Sequence, residues 1–189
     1  MSTPALSPIA FLGPQQTLGS LPNARAFGIV TVGSQFFRAS AGIAVVDADG
    51  GVLALERYEF PDVWQLPQGG IDEAEEPADA ARRELAEETG LRWDQVEVLG
   101  EHPRWLAYEL EPDMRKPDTG RGQVQKWFVV RLLAPDARIE IGRIDARKGH
   151  PEFRGFAWMT LAELLSRAAR FRLPVYEPLA EYVASLTGR

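Results

Sequence analysis

The chain contains no cysteine, which excludes disulfide bonds, thiolate nucleophiles and cysteine metal ligands. Its only two histidines, His102 and His150, do not have metal-ligand spacing, so a histidine-bound zinc site is not expected. No apolar run approaches the roughly 18 residues of a membrane span, and the N-terminus lacks a secretory pattern. We therefore expect a cytoplasmic protein without a membrane partner.

Positive charge is also scarce, with 21 Lys and Arg against 27 Asp and Glu and a net charge of −6. A broad basic surface for nonspecific DNA binding is thus excluded, although a local cationic pocket can still hold a short RNA 5′ end. With 189 residues, 45% of them hydrophobic, the chain is long enough for one sizeable core. We predict a single domain over residues 26–189, preceded by a flexible or loosely packed arm over 1–25 that is rich in Pro, Ser, Gly and Gln.

One segment predicts a helix between Pro77 and Gly90. Proline suits the first helical turn, and glycine suits the position just past the end. Ala78, Ala81 and Leu85 recur between them at three- and four-residue spacing, which indicates one apolar stripe.

Three carboxylates lie beside that stripe, because Glu84, Glu87 and Glu88 fall within an arc of roughly 100°. No basic side chain is expected to pair with them along the helix, and the alternative interpretation is a solvated acidic face. A divalent cation would reverse their mutual repulsion, and oxygen-only ligation suits Mg²⁺ or Mn²⁺. Arg83 and Glu75 lie on either side of the helix start, where they can pair and hold the preceding loop against the carboxylates.

This segment reads Gly69, five residues, Glu75, seven residues, then Arg83-Glu84-Leu85-Ala86-Glu87-Glu88-Thr89-Gly90-Leu91. It resembles the Nudix box, with every fixed position of that pattern filled. The resemblance implies an enzyme that cleaves a pyrophosphate bond in a nucleoside diphosphate linked to another group. It also implies an α+β fold, a Nudix-type α/β/α sandwich with a mixed central sheet and a loop-helix-loop catalytic motif. Glu84, Glu87 and Glu88 would be metal ligands, together with the backbone carbonyl of Gln68.

Four fragments outside the box resemble the branch that contains bacterial RNA pyrophosphohydrolase and the dinucleoside polyphosphate hydrolases. They keep their order and nearly their spacing, so the resemblance covers roughly residues 37–185: Trp64–Ile71, Arg104–Tyr108, Gly122–Phe128 and Pro151–Phe156. The substrate implied is a nucleotide-type molecule, either a dinucleoside polyphosphate or the 5′ pyrophosphate of RNA.

The branch also implies roles for residues outside the box. Glu152 would reach the metal cluster, and the general base is either Glu152 or one of Glu87 and Glu88. Arg38 occupies the position of a phosphate-binding arginine.

Further candidates for substrate binding come from the residues themselves. Lys126 is one of three lysines in the chain, and Tyr108 can stack on a base or bond a phosphate. The polar segment 111–122 contains Arg115 and Arg121, which can close over a long phosphate chain, although a solvated hairpin connection is the alternative interpretation.

The remaining secondary structure is predicted from alternation and from turn residues. Strands are expected near 27–32, 41–46, 51–56, 94–99, 123–132 and 153–159. Thr160 and Glu163 form a capping-box start for a helix to about residue 170, and Pro174 opens a last helix to about residue 186.

Two other functions stay open at this point. An ADP-ribose or nucleoside-diphosphate-sugar pyrophosphatase often uses a longer N-terminal region for dimerisation, and about 35 extra residues precede the matching region here. A ligand-binding regulator on a Nudix scaffold can do without the catalytic glutamates, all of which are present. The sequence leaves a monomer and a homodimer equally possible.

Overall fold

The computed structural model describes residues 29–32, 35–115, 119–134, 137–141, 144–145 and 149–188. The predicted arm over 1–25 lies outside the described residues. The strands are β1 Ile29–Val32, β2 Gln35–Val46, β3 Val52–Arg57, β4 Trp64–Gln65, β5 Gln68–Gly70, β6 Val96–Glu101, β7 Leu106–Glu109, β8 Gly122–Leu132, β9 Ile144–Asp145, β10 His150–Pro151 and β11 Phe153–Met159. The helices are α1 Pro77–Thr89, α2 Leu161–Arg167 and α3 Leu173–Thr187.

The central sheet is mixed, as predicted. Its strand order is β11-β3-β2-β8-β6, with β1 and β5 also paired to β2, β4 to β3 and β7 to β8. Strands β2 and β8 run parallel from the pair Phe37–Gly122 to the pair Val46–Arg131, and the other pairs are antiparallel. Strands β9 and β10 form a separate two-stranded sheet.

Each face of the sheet has its own core, which makes the three-layer α/β/α sandwich. Successive residues of β2 contribute to different cores, because neighbouring side chains of a strand point to opposite faces of the sheet. Ile43 packs with Leu85 of α1 on one face, whereas Ala44 packs with Val175 of α3 on the other.

The helix boundaries follow the predicted signals. Helix α1 begins at Pro77 and ends where Gly90 adopts the left-handed conformation with φ 72°. The capping box of Thr160 and Glu163 is present, but α2 ends at Arg167, earlier than expected, because Ala168 is extended and pairs with Trp64. Strand β6 begins later than expected because the residues before it, Trp93–Gln95, form a 3₁₀ turn.

The sheet opens between β2 and β3, and this opening positions the site. The two strands are paired in register at Val46 and Val52, and beyond that point the segment Trp64–Gly70 is inserted between them. Its first residues pair with β3 and its last with β2, and the Ile43 N–H donates to the Pro67 carbonyl. No helix in the described part of the chain is long and apolar enough to cross a membrane.

Candidate active site

The inserted segment Trp64–Gly70 is held from the α1 layer by two hydrogen bonds. The Gln68 N–H donates to the Glu88 carboxylate at 2.8 Å, and Arg83 Nη2 donates to the Gly70 carbonyl at 2.7 Å. The acidic helix is therefore fastened to the backbone that precedes it.

Glu84 lies under the backbone of Gly69. A Cβ at residue 69 would overlap the Glu84 carboxyl group, so only glycine allows the helix and the segment to approach this closely. Glu84 is buried, and this burial raises the pKa of its carboxyl group despite the opposing effect of Arg83. Gly69, the first residue of the motif, is thus required because it contacts Glu84, one of the predicted metal ligands.

The expected pairing of Arg83 with Glu75 is present. Arg83 donates from Nε and Nη2 to the two Glu75 carboxylate oxygens at 3.0 and 2.9 Å. This bidentate pair lowers the pKa of Glu75, with Arg83 as the main cause.

The expectation that no basic side chain pairs with the helix carboxylates was wrong. Arg83 Nη1 also bonds the Glu84 carboxylate and lies 3.8 Å from Glu87. Arg83 thereby contacts the loop and two of the carboxylates at once, because its guanidinium group carries five donors in a planar fork.

The environment of Glu88 disfavours the charged form of its carboxyl group. Protein atoms surround its carboxyl group, and this burial raises its pKa well above the usual range, with further increases from the charges of Glu84 and Glu152. The Gln68 N–H and the more distant Arg57 oppose this rise. Glu88 nevertheless keeps some contact with solvent.

Glu152 joins this group from the far end of the chain. The antiparallel pairing of β11 with β3 places Phe153 beside Arg57, and Arg57 Nη1 bonds the Glu152 carboxylate at 2.5 Å. We call Glu84, Glu87, Glu88 and Glu152 the carboxylate cluster. Glu87 and Glu152 are its open members, with side chains 43% and 37% exposed.

The donor chemistry of this cluster fits a divalent cation. It supplies carboxylate oxygens, and the charged form of Glu88 is destabilised by the charges of Glu84 and Glu152. Among the described residues, no three acidic or histidine side chains yet converge so that they could hold an ion. Arg83 Nη1 bonds Oε1 of Glu84, so a metal ion at this carboxylate would share the group with Arg83 or displace it.

The opposite side of the same segment carries amides and an arginine. Arg172 donates from Nη1 to Gln68 Oε1 at 2.7 Å and from Nη2 to Gln65 Oε1 at 3.1 Å. Gln125 Nε2 donates to Gln68 Oε1 at 2.7 Å and to Gln123 Oε1 at 3.0 Å. We call Gln65, Gln68, Gln123, Gln125 and Arg172 the amide cluster.

Arg38, one of the predicted phosphate ligands, lies beside the amide cluster. Its guanidinium Nη2 would be 3.4 Å from a Cβ at Gly70, and its charge acts on Tyr108. Tyr108 is buried, and the Arg172 guanidinium lies over its ring, 5.4 Å from the ring centre. The structure therefore brings Arg38 to the site and places Tyr108 beneath Arg172.

The structure does not bring Lys126 to either cluster. Its ammonium group bonds the Glu101 carboxylate at 2.5 Å and the His102 carbonyl at 2.9 Å. Lys126 alternates with Gln125 along β8 and so lies on the other face of the strand.

Arg115 and Arg121 are paired with a carboxylate outside both clusters. Both contact the Glu109 carboxylate, Arg115 at 3.4 Å and Arg121 at 2.7 Å. Arg115 additionally donates to the Leu110 carbonyl. Residues 116–118 between them lie outside the described part of the chain.

Five site residues were missed in the sequence. Gln65 and Gln123 of the amide cluster are two of them. The other three, Arg57, Gln125 and Arg172, come from β3, β8 and the turn before α3. The available signal was the alternation of β8, where Gln123 and Gln125 interrupt an otherwise apolar face that continues through Trp127.

Comparison with known proteins identifies the family from the sequence. The family described as "NUDIX domain" matches residues 36–180. The RNA pyrophosphohydrolase of Acidiphilium cryptum is 43% identical over 150 residues, covering 76% of this chain and 88% of that protein. The RNA pyrophosphohydrolase of Rhodospirillum rubrum is 39% identical over 155 residues, covering 80% and 88%.

The fold is shared with solved structures at low sequence identity. The E. coli dihydroneopterin triphosphate pyrophosphohydrolase superposes with a TM-score of 0.60 at 18% identity, covering 81% of this chain and 99% of that one. This similarity supports the three-layer architecture and carries no statement about the substrate.

Proposed function

The chain belongs to the Nudix family, and from that premise we propose that it removes pyrophosphate from the 5′ end of RNA or cleaves the chemically related dinucleoside polyphosphates. It is an enzyme that hydrolyses pyrophosphate bonds, and Nudix hydrolases generally use a divalent metal. We infer that this metal is Mg²⁺, with Mn²⁺ as a substitute, because the candidate ligands are all oxygen atoms.

One observation carries the proposal: the two clusters lie on opposite sides of a single peptide. Gln68 contacts Glu88 through its backbone and Arg172 through its side chain. A polyphosphate needs cations to neutralise its charge and a positioned water for hydrolysis. The carboxylate cluster is suited to hold the metal, while Arg172 and Arg38 are suited to hold phosphates.

In this assignment, Glu84, Glu88 and the Gln68 carbonyl would hold the metal, with Glu87 and Glu152 nearby. When bound, the metal supplies charge neutralisation and a more acidic water. Arg83 and Glu75 hold the loop against the helix. The general base is one of the two open carboxylates, Glu152 or Glu87, because a base must reach water in the cleft.

The substrate assignment rests on relatives that carry the name RNA pyrophosphohydrolase at 39–43% identity. The Caenorhabditis elegans Ap4A hydrolase shares the fold at 19% identity, so it adds no argument for that substrate. Nothing in the described structure favours ADP-ribose, and a regulator without catalysis does not fit an enzyme. The single domain over 26–189, the cytoplasmic location and the choice between monomer and homodimer stay predictions.

A substrate screen tests the proposal. Purified protein with Mg²⁺ is incubated separately with 5′-triphosphorylated RNA, diadenosine tetraphosphate, ADP-ribose and a nucleotide sugar, and the products are resolved by chromatography. We expect a 5′-monophosphorylated RNA product, and a nucleoside triphosphate from the diadenosine substrate if that arm is active. Ribose phosphate plus AMP from ADP-ribose, with no reaction in the first two arms, would contradict the proposal.

A further inference from the structure

Gln125 is completely buried, yet its side-chain oxygen has no hydrogen-bond partner among the described residues. Leaving a buried acceptor without a hydrogen bond is destabilising, because the group has lost its contact with water and gained nothing in return. Gln125 is therefore a poor choice for stability alone.

The orientation of its amide is fixed by its neighbours. Its Nε2 group faces two oxygen atoms, Gln68 Oε1 at 2.7 Å and Gln123 Oε1 at 3.0 Å. A flipped amide would place oxygen against oxygen, so only this orientation donates hydrogen bonds. The donor side of Gln125 is thus directed at Gln68.

Gln68 in turn connects the amide cluster to the carboxylate cluster. Its side chain accepts from Gln125 and Arg172 on one face of the sheet, and its N–H donates to Glu88 on the other. If Arg172 turns to a phosphate, two partners of the Gln68 side chain remain: Gln125 Nε2 at 2.7 Å and, more weakly, Gln123 Oε1 at 3.5 Å.

We propose that Gln125 is a positioning residue that holds Gln68 so that its backbone stays aligned with Glu88 and with the metal. This inference rests on the proposed assignment of the metal to the carboxylate cluster, and it is independent of which pyrophosphate substrate is used. Partners of this kind change metal affinity or activity by about 10- to 100-fold when they are removed.

The test replaces Gln125 with methionine, which has a similar volume and no donor. Free Mn²⁺ is measured by electron paramagnetic resonance in titrations without substrate, and kcat, KM and the thermal midpoint are measured on the same preparations. For Q125M we expect a folded protein with a thermal midpoint below that of the wild type, because the two hydrogen bonds donated by Gln125 Nε2 are lost. We also expect Mn²⁺ affinity and kcat each about 10-fold lower, with KM unchanged.

Two further variants make the result specific. Q95M removes a hydrogen bond to the Arg92 N–H at another site and should leave Mn²⁺ affinity and kcat unchanged. In a Q68M background, adding Q125M should cause no further loss, because Gln125 acts through the Gln68 side chain. If Q125M does not fold, Q125N keeps the amide but withdraws it from Gln68 by one methylene, and the same losses are expected.

Wild-type Mn²⁺ affinity and kcat in Q125M or Q125N would overturn the inference. Losses that simply multiply in the Q68M background, or a loss confined to KM, would also overturn it, since Gln125 would then act independently or contact the substrate. Failure of the substrate screen leaves the Mn²⁺ titration interpretable, so the two proposals can fail separately.

Discussion

The carboxylate cluster and the amide cluster are opposite in chemistry although one residue joins them. The first gathers four acidic side chains, two of which, Glu84 and Glu88, have raised pKa values because burial disfavours their charge. The second has one cation, Arg172, among neutral amides. One side of the Gln68 peptide is therefore suited to a cation and the other to an anion.

The largest expected effect comes from neutralising the centre of the carboxylate cluster. Glu88→Gln keeps an acceptor for the Gln68 N–H but removes the charge of a proposed metal ligand, so turnover should fall by orders of magnitude. The metal-free protein should be at least as stable as the wild type, because one of three mutually repelling carboxylates is gone. Steady-state kinetics and thermal unfolding check both statements, and near-normal turnover would refute the metal assignment.

Gly69→Ala should break the cluster sterically without changing any charge. Its Cβ overlaps the Glu84 carboxyl group, so Glu84 must move, at a cost of about 1–3 kcal/mol in the free energy of unfolding. Mn²⁺ affinity should fall as well. Gly155→Ala is the control, because its Cβ would be 3.4 Å from the nearest side-chain atom. Equal Mn²⁺ affinity in the two variants would contradict the contact argument.

Arg172→Met should affect the opposite cluster in a different way. Since a charge-assisted hydrogen bond contributes about 1.5–3 kcal/mol, KM for the phosphate substrate should rise about 10- to 100-fold with a smaller change in kcat. Lys126→Met is the matched control. Because Lys126 is paired with Glu101, this substitution should change KM less than Arg172→Met does. A larger KM effect for Lys126→Met would restore the phosphate role predicted from the sequence.

The smallest effect is expected for Glu75→Gln, which weakens the loop without touching either cluster directly. Arg83 lowers the pKa of Glu75, so this carboxylate stabilises the fold above its unfolded pKa near 4.5 and stops doing so as pH falls through the lowered value. Glu75→Gln should lower the free energy of unfolding by about 1 kcal/mol at pH 7. Denaturant unfolding in EDTA at pH 7 and below pH 4 checks this, and a difference that persists unchanged at low pH would argue against the pair.

The carboxylate cluster was largely predictable, and the amide cluster was not. Glu84, Glu87 and Glu88 share one helix, where a period of 3.6 residues fixes their relative directions. The bond from Arg83 to Glu84 was missed because adjacent helical residues are not expected to face each other.

The members of the amide cluster are separated in the chain, coming from the inserted segment, from β8 and from the turn before α3. Only the tertiary fold brings them together, so no single window of sequence contains the pattern. Glu152 was found through family resemblance, but its partner Arg57 depends on the register of β11 against β3. Local periodicity therefore predicts sites within one element, and sites assembled across elements require the strand pairing.

Anomalous diffraction from crystals of the protein grown with Mn²⁺ tests most directly whether the metal binds at the carboxylate cluster. We predict a manganese peak within coordination distance of the Gln68 carbonyl and of the Glu84 and Glu88 carboxylates, with Arg83 turned away from Glu84. An active crystal with manganese bound elsewhere, or with the Arg83–Glu84 pair intact and no peak beside Gln68, would contradict it.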